Sequence, residues 1–242
     1  LGTHESVRSF TRNDILKFIK QFYSNDRMVF SYTGSLPFEQ VKSLAEKHFS
    51  REGHISDHAA APRKRPIEIT KVAQKKNNIQ AHYIAGSTAY SCHSSKRFTL
   101  FLLNNILGGP GMNSRLNMNI REKYGFTYHI ESAYVPFKDT GLFNIYLATE
   151  KKFLEKSIRL VDAELKKLRT VKIPSAQLSR FKYQLKGQIA ISQENKSGVM
   201  LNNAKSLLNY NKPVDVEAVF RKLDEVTPDD ILLVANEILD PS

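Results

Sequence analysis

The chain has 242 residues, 41% hydrophobic, 10% aromatic and 25% charged, an ordinary globular composition with apolar side chains enough for a sizeable core. No apolar run approaches the roughly 18 residues that a spanning helix needs, so neither such a helix nor a membrane partner is expected. One cysteine, Cys92, excludes a disulfide framework and a thiolate-rich zinc site, and a net charge of +12 makes nucleic acid a partner to be weighed.

Residues 1–5 hold neither a start Met nor an apolar leader, which reads as an internal cut. Thr11-Arg12-Asn13-Asp14 then opens a helix, with Thr11 as N-cap and Asp14 at the third position, and Ile15, Phe18, Ile19 and Phe22 carry it to about Tyr23. Residues 27–33 read as a strand stopped by Gly34, and 37–48 as a second amphipathic helix. The stretch 51–65 has Pro62, basic residues and no apolar period, the signature of a linker. Strands are expected over 66–73 and 79–86, and an apolar helix over 96–107 that ends in Gly108-Gly109-Pro110-Gly111. A short polar helix over 113–123 precedes a hairpin, 128–137 and 142–149, across Lys138-Asp139-Thr140-Gly141. The remainder reads as helices over 153–168, 174–193, 197–209, 214–223 and 228–239. Strands followed by helices predict an α+β fold, an antiparallel sheet of about five to six strands with helices packed on one face.

Thr227-Pro228-Asp229-Asp230-Ile231-Leu232 repeats Thr11-Arg12-Asn13-Asp14-Ile15-Leu16 at an offset of 216 residues. Either two helices share a start signal by coincidence, or the chain samples a tandem repeat of about 210–220 residues. On the repeat reading, 1–50 is the tail end of one unit, 51–65 a linker and 66–242 the next unit. The strand expected over 27–33 would then fill a vacant place in the sheet of 66–149, in the same molecule or swapped from a neighbour, since an unpaired edge is a liability.

Chemistry is sparse. His54 and His58 bracket Ile55-Ser56-Asp57, but an H-x-x-D-H zinc pattern needs a helix to bring both imidazoles to one face, and these flanks are linker. No G-x-S-x-G elbow occurs, and the glycine run follows a helix rather than a strand, so it is no phosphate loop. The lysines of the later helices alternate with Glu150, Glu155 and Glu164 as solvated faces do. Without basic strands interleaved with aromatics, the charge argues against nucleic acid. No metal ligands are expected in this chain.

The informative stretch runs from Gly108-Gly109 through Ser114-Arg115-Leu116 to Arg121-Glu122-Lys123 and Gly125-Phe126-Thr127-Tyr128. It resembles, position by position, the C-terminal half of the pitrilysin/insulinase family of zinc metallopeptidases, which includes the mitochondrial processing peptidases. That family has a glycine-rich turn, Ser-Arg-Leu, and a helix ending Leu-Arg-Glu-Lys-x-Gly-x-x-Tyr. Residues 9–34 resemble the end of the family's N-terminal half, so the match spans essentially the whole chain. Pro110 and Met112-Asn113 are departures that the turn tolerates.

The resemblance implies two homologous α+β halves closing around a substrate chamber. The family's H-x-x-E-H zinc motif belongs to the N-terminal half and does not occur here. This chain is therefore expected to carry no cofactor and to be inactive by itself, with zinc implied for the full-length enzyme or a partner. Its part would be to clamp a peptide or protein substrate and supply Arg121 and Tyr128, seven residues apart as in the family. A guanidinium suits backbone carbonyls, and a phenol suits the charge developing on an attacked carbonyl oxygen. Gly108, Gly109, Ser114 and Arg115 are expected as substrate-binding neighbours. His129, next to Tyr128 on a strand, is expected on the opposite face. The alternative is a non-catalytic subunit or a structural relative that partners a zinc-bearing peptidase chain.

Overall fold

The computed structural model describes residues 2–49 and 70–240. The linker with His54 and His58, and residues 66–69 of the first expected strand, lie outside them. The chain divides into two compact units. One takes the described part of Leu1–Arg65 with Ser192–Val214, the other that of Pro66–Ile191 with Asp215–Ser242.

The first unit is helical. Thr3 caps a short helix α1 (His4–Ser9) that the apolar pattern did not predict. Thr11 and Asp14 form the expected reciprocal cap of α2 (Arg12–Phe22), Thr11 N–H donating to Asp14 at 2.9 Å and Asp14 N–H to Thr11 Oγ1 at 3.3 Å. A 3-10 turn, Asn25–Arg27, leads into residues 28–33, which join no ladder, and then into α3 (Phe38–Phe49). The strand expected over 27–33 is therefore absent, and among the described residues none of 27–33 pairs with the sheet of 66–149. Val29, Phe30 and Tyr32 have strand propensity, but a strand exists only where a neighbour takes its hydrogen bonds. Here Ser31 Oγ instead donates to Met200 O at 3.0 Å, on α7 (Lys196–Tyr210). That helix ends at Asn211 in a left-handed conformation (φ 56°).

The second unit holds the sheet and the core. β1 (Gln80–Ala89), β2 (Thr127–Pro136) and β3 (Gly141–Glu150) form an antiparallel sheet in the order β1-β3-β2. Among the described residues the sheet has three strands rather than five to six, and 70–73 are not a strand. The α+β class and the predicted hairpin stand.

Alternation assigns the faces. Ile130 and Ser132 of β2 and Phe143, Ile145 and Leu147 of β3 are buried, while the residues between them are more open. On the buried face α4 (Arg97–Gly108) packs against β2, α5 (Leu154–Thr170) against β3 and α9 (Pro228–Ile238) against β1. The apolar run of α4, Leu100, Leu102, Leu103, Ile106 and Leu107, is wholly buried, as expected of a helix apolar nearly all round. Each such side chain contributes about 1.5–3 kcal/mol on burial. α6 (Ser175–Ser192) adds Leu178 and Leu185, and α8 (Val216–Glu225) adds Leu223, to the same core.

Candidate functional site

The motif from Gly108 to Tyr128 becomes a continuous path from α4 to β2, and each step has a local cause. Gly108 ends α4 against the sheet; a Cβ there would lie 2.6 Å from Ser132 N and 2.9 Å from Leu116 Cδ1. Only a glycine lets the helix end approach β2 that closely. Gly109 is equally hemmed in by the Asn105 backbone. Two glutamines of α6 hold this turn. Gln184 and Asn113 exchange both amide hydrogen bonds at 2.7 and 2.8 Å, and Asn105 Nδ2 donates to Gln188 Oε1 at 2.8 Å.

Ser114 is buried and accepts from Asn117 Nδ2 at 2.9 Å. The helix that follows, 115–124, is expanded in its middle: Asn117–Glu122 is a π-helix. Such turns are rare and recur at functional sites because they rotate the residues after them. Arg121 stands on this turn, half-buried, near its C-terminal end. Arg115 is also half-buried; burial holds its guanidinium below its ordinary range, opposed by the charge of the buried Glu164. Glu164 itself takes Lys167 Nζ at 2.8 Å.

Gly125 then reverses the chain at φ 65°, a left-handed position that suits glycine. Around it Tyr124, Phe126 and Phe153 stack at 5.4 and 4.5 Å, and Lys156 Nζ lies 4.6 Å from the centre of the Phe126 ring, a favourable cation–π arrangement. The stack anchors the turn next to β2.

Tyr128 occupies a β-bulge. Thr127 pairs with Thr149 and His129 with Ala148, so Tyr128 has no partner of its own in the ladder. A bulge re-aims the side chain it carries. Tyr128 and His129 are both exposed, between the buried Thr127 and Ile130. His129 is therefore not opposite Tyr128, because the extra residue cancels one step of the alternation the sequence implied.

On the same open face His82 Nδ1 and the Tyr146 hydroxyl share a hydrogen bond of 2.8 Å, and the His129 ring lies 5.8 Å from that of Tyr146. His129 Nε2 is 3.2 Å from Glu131 Oε2. Among the described residues no group of three or more His, Cys, Asp or Glu side chains is placed to hold a metal ion, so these residues do not fit a zinc site. The π-turn and the bulge are what sequence reasoning missed. Both depend on hydrogen-bond register, which side-chain type does not encode.

Comparison with known proteins follows the same path. Residues 9–185 match the family model described as the peptidase M16 inactive domain. The chain is 28% identical over 226 residues to the uncharacterized zinc protease YmxG of Bacillus subtilis, covering 93% of this chain and 54% of that protein. It is 27% identical over 256 residues to a probable mitochondrial-processing peptidase subunit beta of Schizosaccharomyces pombe, covering 99% of this chain and 55% of that one. A protease structure from Helicobacter pylori shares the fold at a TM-score of 0.78 and 20% identity, over 99% of this chain and 58% of that chain. The chain thus spans about half the length of the curated relatives it matches. The chain belongs to the peptidase M16 inactive domain family, the inactive C-terminal domain of zinc proteases.

Proposed function

We propose that this chain is the substrate-clamping half of a zinc endopeptidase, with Arg121 and Tyr128 as its peptide-contacting groups and the metal held in another half or partner subunit. The observation that supports it is the pairing of two costly backbone irregularities. Arg121 rides a π-turn, Tyr128 a bulge, and the left-handed Gly125 joins them. A phenol that is exposed and outside the ladder is free to donate to a peptide carbonyl oxygen as charge gathers there. The guanidinium would hold neighbouring backbone carbonyls through its planar fork. The same proposal takes residues 1–50 as the end of the preceding repeat unit, 51–65 as a linker and 66–242 as the clamp.

Gly108, Gly109 and Ser114 are buried scaffold and Arg115 is half-buried, so their part is to place the π-turn rather than to meet substrate. In the full-length parent, with any partner subunit present, Tyr128→Phe lowers kcat about 10²–10³-fold if the phenol acts on the developing charge. Arg121→Ala acts chiefly on KM. Peptidase activity untouched by both substitutions rejects the proposal in favour of a structural subunit.

A further inference from the structure

Tyr128 lies on the open side of the sheet because β2 slips by one residue against β3. From Ile130 onward the two strands keep one register, with Ile130 opposite Leu147, Ser132 opposite Ile145 and Tyr134 opposite Phe143. Continued one step beyond the pair of His129 and Ala148, that register would set Tyr128 opposite Thr149 and Thr127 opposite Glu150. Side chains directly opposite one another in an antiparallel pair share a face. Thr149 is fully buried on the face that the helices cover, so an unbroken ladder would bury the Tyr128 side chain beside it. Instead Thr127 takes that place, 5% exposed, and Tyr128 is left 54% exposed.

One side-chain hydrogen bond draws the chain into the shifted register. The Thr149 hydroxyl donates to Phe126 O at 2.5 Å, which holds the residue before Thr127 against β3. The Phe126 ring is gripped separately, between those of Tyr124 and Phe153. The shift has a cost. Thr127 Oγ1 is buried with no hydrogen-bond partner among the described residues, whereas the unbroken register would turn it to the open face. A buried polar atom left unsatisfied is destabilising, and the shift also buries a threonine in place of a tyrosine ring. A bulge that persists at such a cost is a device for aiming a side chain.

We propose that Thr149 is a positioning residue: its hydroxyl locks the bulge, and the bulge delivers the Tyr128 phenol to the open face of the sheet. The lock itself concerns this chain alone, while its effect on activity rests on the role proposed for Tyr128. Valine at position 149 keeps the shape of threonine and loses the donor. Once Phe126 O is released, the unbroken register is the better-paired state, and Tyr128 turns away from the open face.

The experiment uses Thr149→Val and Thr149→Ser, in the 242-residue chain and in the full-length parent with any partner subunit present. In the chain, cross-strand contacts measured by NMR report the register. Thr127 is expected opposite residue 149 in the unsubstituted chain and in Thr149→Ser, and Tyr128 opposite it in Thr149→Val. The Thr149 hydroxyl proton of the unsubstituted chain is expected to exchange slowly enough to be observed, a measurement that needs no variant to fold. In the parent, Thr149→Val lowers kcat for peptide as far as Tyr128→Phe does, about 10²–10³-fold, with KM little changed. Thr149→Ser retains most of the activity. The double variant Thr149→Val/Tyr128→Phe is no slower than either single one, because both remove the same donor. A register unmoved in Thr149→Val, or a hydroxyl proton in rapid exchange with water, overturns the lock. Additive losses in the double variant, or a Thr149→Ser no more active than Thr149→Val, overturn its effect on catalysis. If Tyr128→Phe alone leaves kcat unchanged, the role of Tyr128 fails, and the register in Thr149→Val still decides whether the lock exists.

Discussion

Single residues carry the geometry of the motif. Gly108→Ala brings a Cβ to 2.6 Å from the Ser132 backbone nitrogen, so β2 or the end of α4 must retreat. The expected cost is about 1–3 kcal/mol, read as a lower denaturation midpoint with an unchanged slope. Tyr128→Phe, by contrast, removes a hydroxyl from an exposed ring and leaves the stability of the isolated chain unchanged, which separates its chemical role from any structural one. Glu237 links three elements: Lys96 Nζ donates to it at 2.5 Å and the Tyr90 hydroxyl donates to its other oxygen. These two donors, Lys96 first, hold its carboxyl below the ordinary carboxylate value of 4.5. Burial, followed by the Glu237 bond, holds the Tyr90 phenol above its usual range. A carboxyl with a lowered value adds stability above its unfolded value and loses it as pH falls through the folded one. Glu237→Gln is therefore expected to be less stable than the parent sequence at neutral pH, with the gap closing below about pH 4. A gap that persists unchanged at pH 3 in thermal melts would show that packing, not charge, holds this corner.

Elements decide where those residues point. A π-turn is an α-helix with one residue too many, so deleting Met118, which is exposed at 50%, is expected to restore α-helical register over Asn117–Glu122. Five residues at the wider π pitch turn the chain about as far as four at 100° each, so Arg121 keeps its direction. Far-UV circular dichroism of that deletion and the parent's KM for peptide both stay close to the original. A KM raised as far as by Arg121→Ala would show that the extra residue itself sets where Arg121 points. In the sheet, Leu147 lies fully buried on β3, the central strand. Leu147→Ala is expected to cost about 2–5 kcal/mol, measured by urea unfolding. The same change at Leu142, on the open face, costs little.

At the scale of the whole molecule, stability is unevenly distributed. The second unit closes a continuous core from α4 through the sheet to α9, whereas the large side chains of α1, α2 and α3 remain open to solvent. Local opening free energies follow buried apolar contact. Amides of α4 and β3 are thus expected to exchange only with global unfolding, and those of α2 far sooner. Comparable protection in both, measured by native-state hydrogen exchange on the chain alone, would contradict this distribution.

Much of this was legible from the sequence because it is local. Thr11 and Asp14, or Thr227 and Asp230, specify a helix start within four residues, and the apolar run 98–107 specifies a buried helix whatever surrounds it. The hairpin across Lys138–Gly141 follows from alternation and a turn, and the family from Gly108-Gly109 through Tyr128. What escaped the sequence depends on partners. Residues 28–33 have the composition of a strand and form none, because no ladder receives them. Ile15 to Phe22 and Ile231 to Ile238 share one pattern, and only tertiary structure decides that one face is sealed and the other open. Tyr128 and His129 read as facing opposite ways until the pairing of Thr127 with Thr149 and His129 with Ala148 inserts a bulge between them. Propensity and capping are properties of neighbours in the chain. Register, burial and bulges are properties of neighbours in space, which the sequence specifies only through the whole fold.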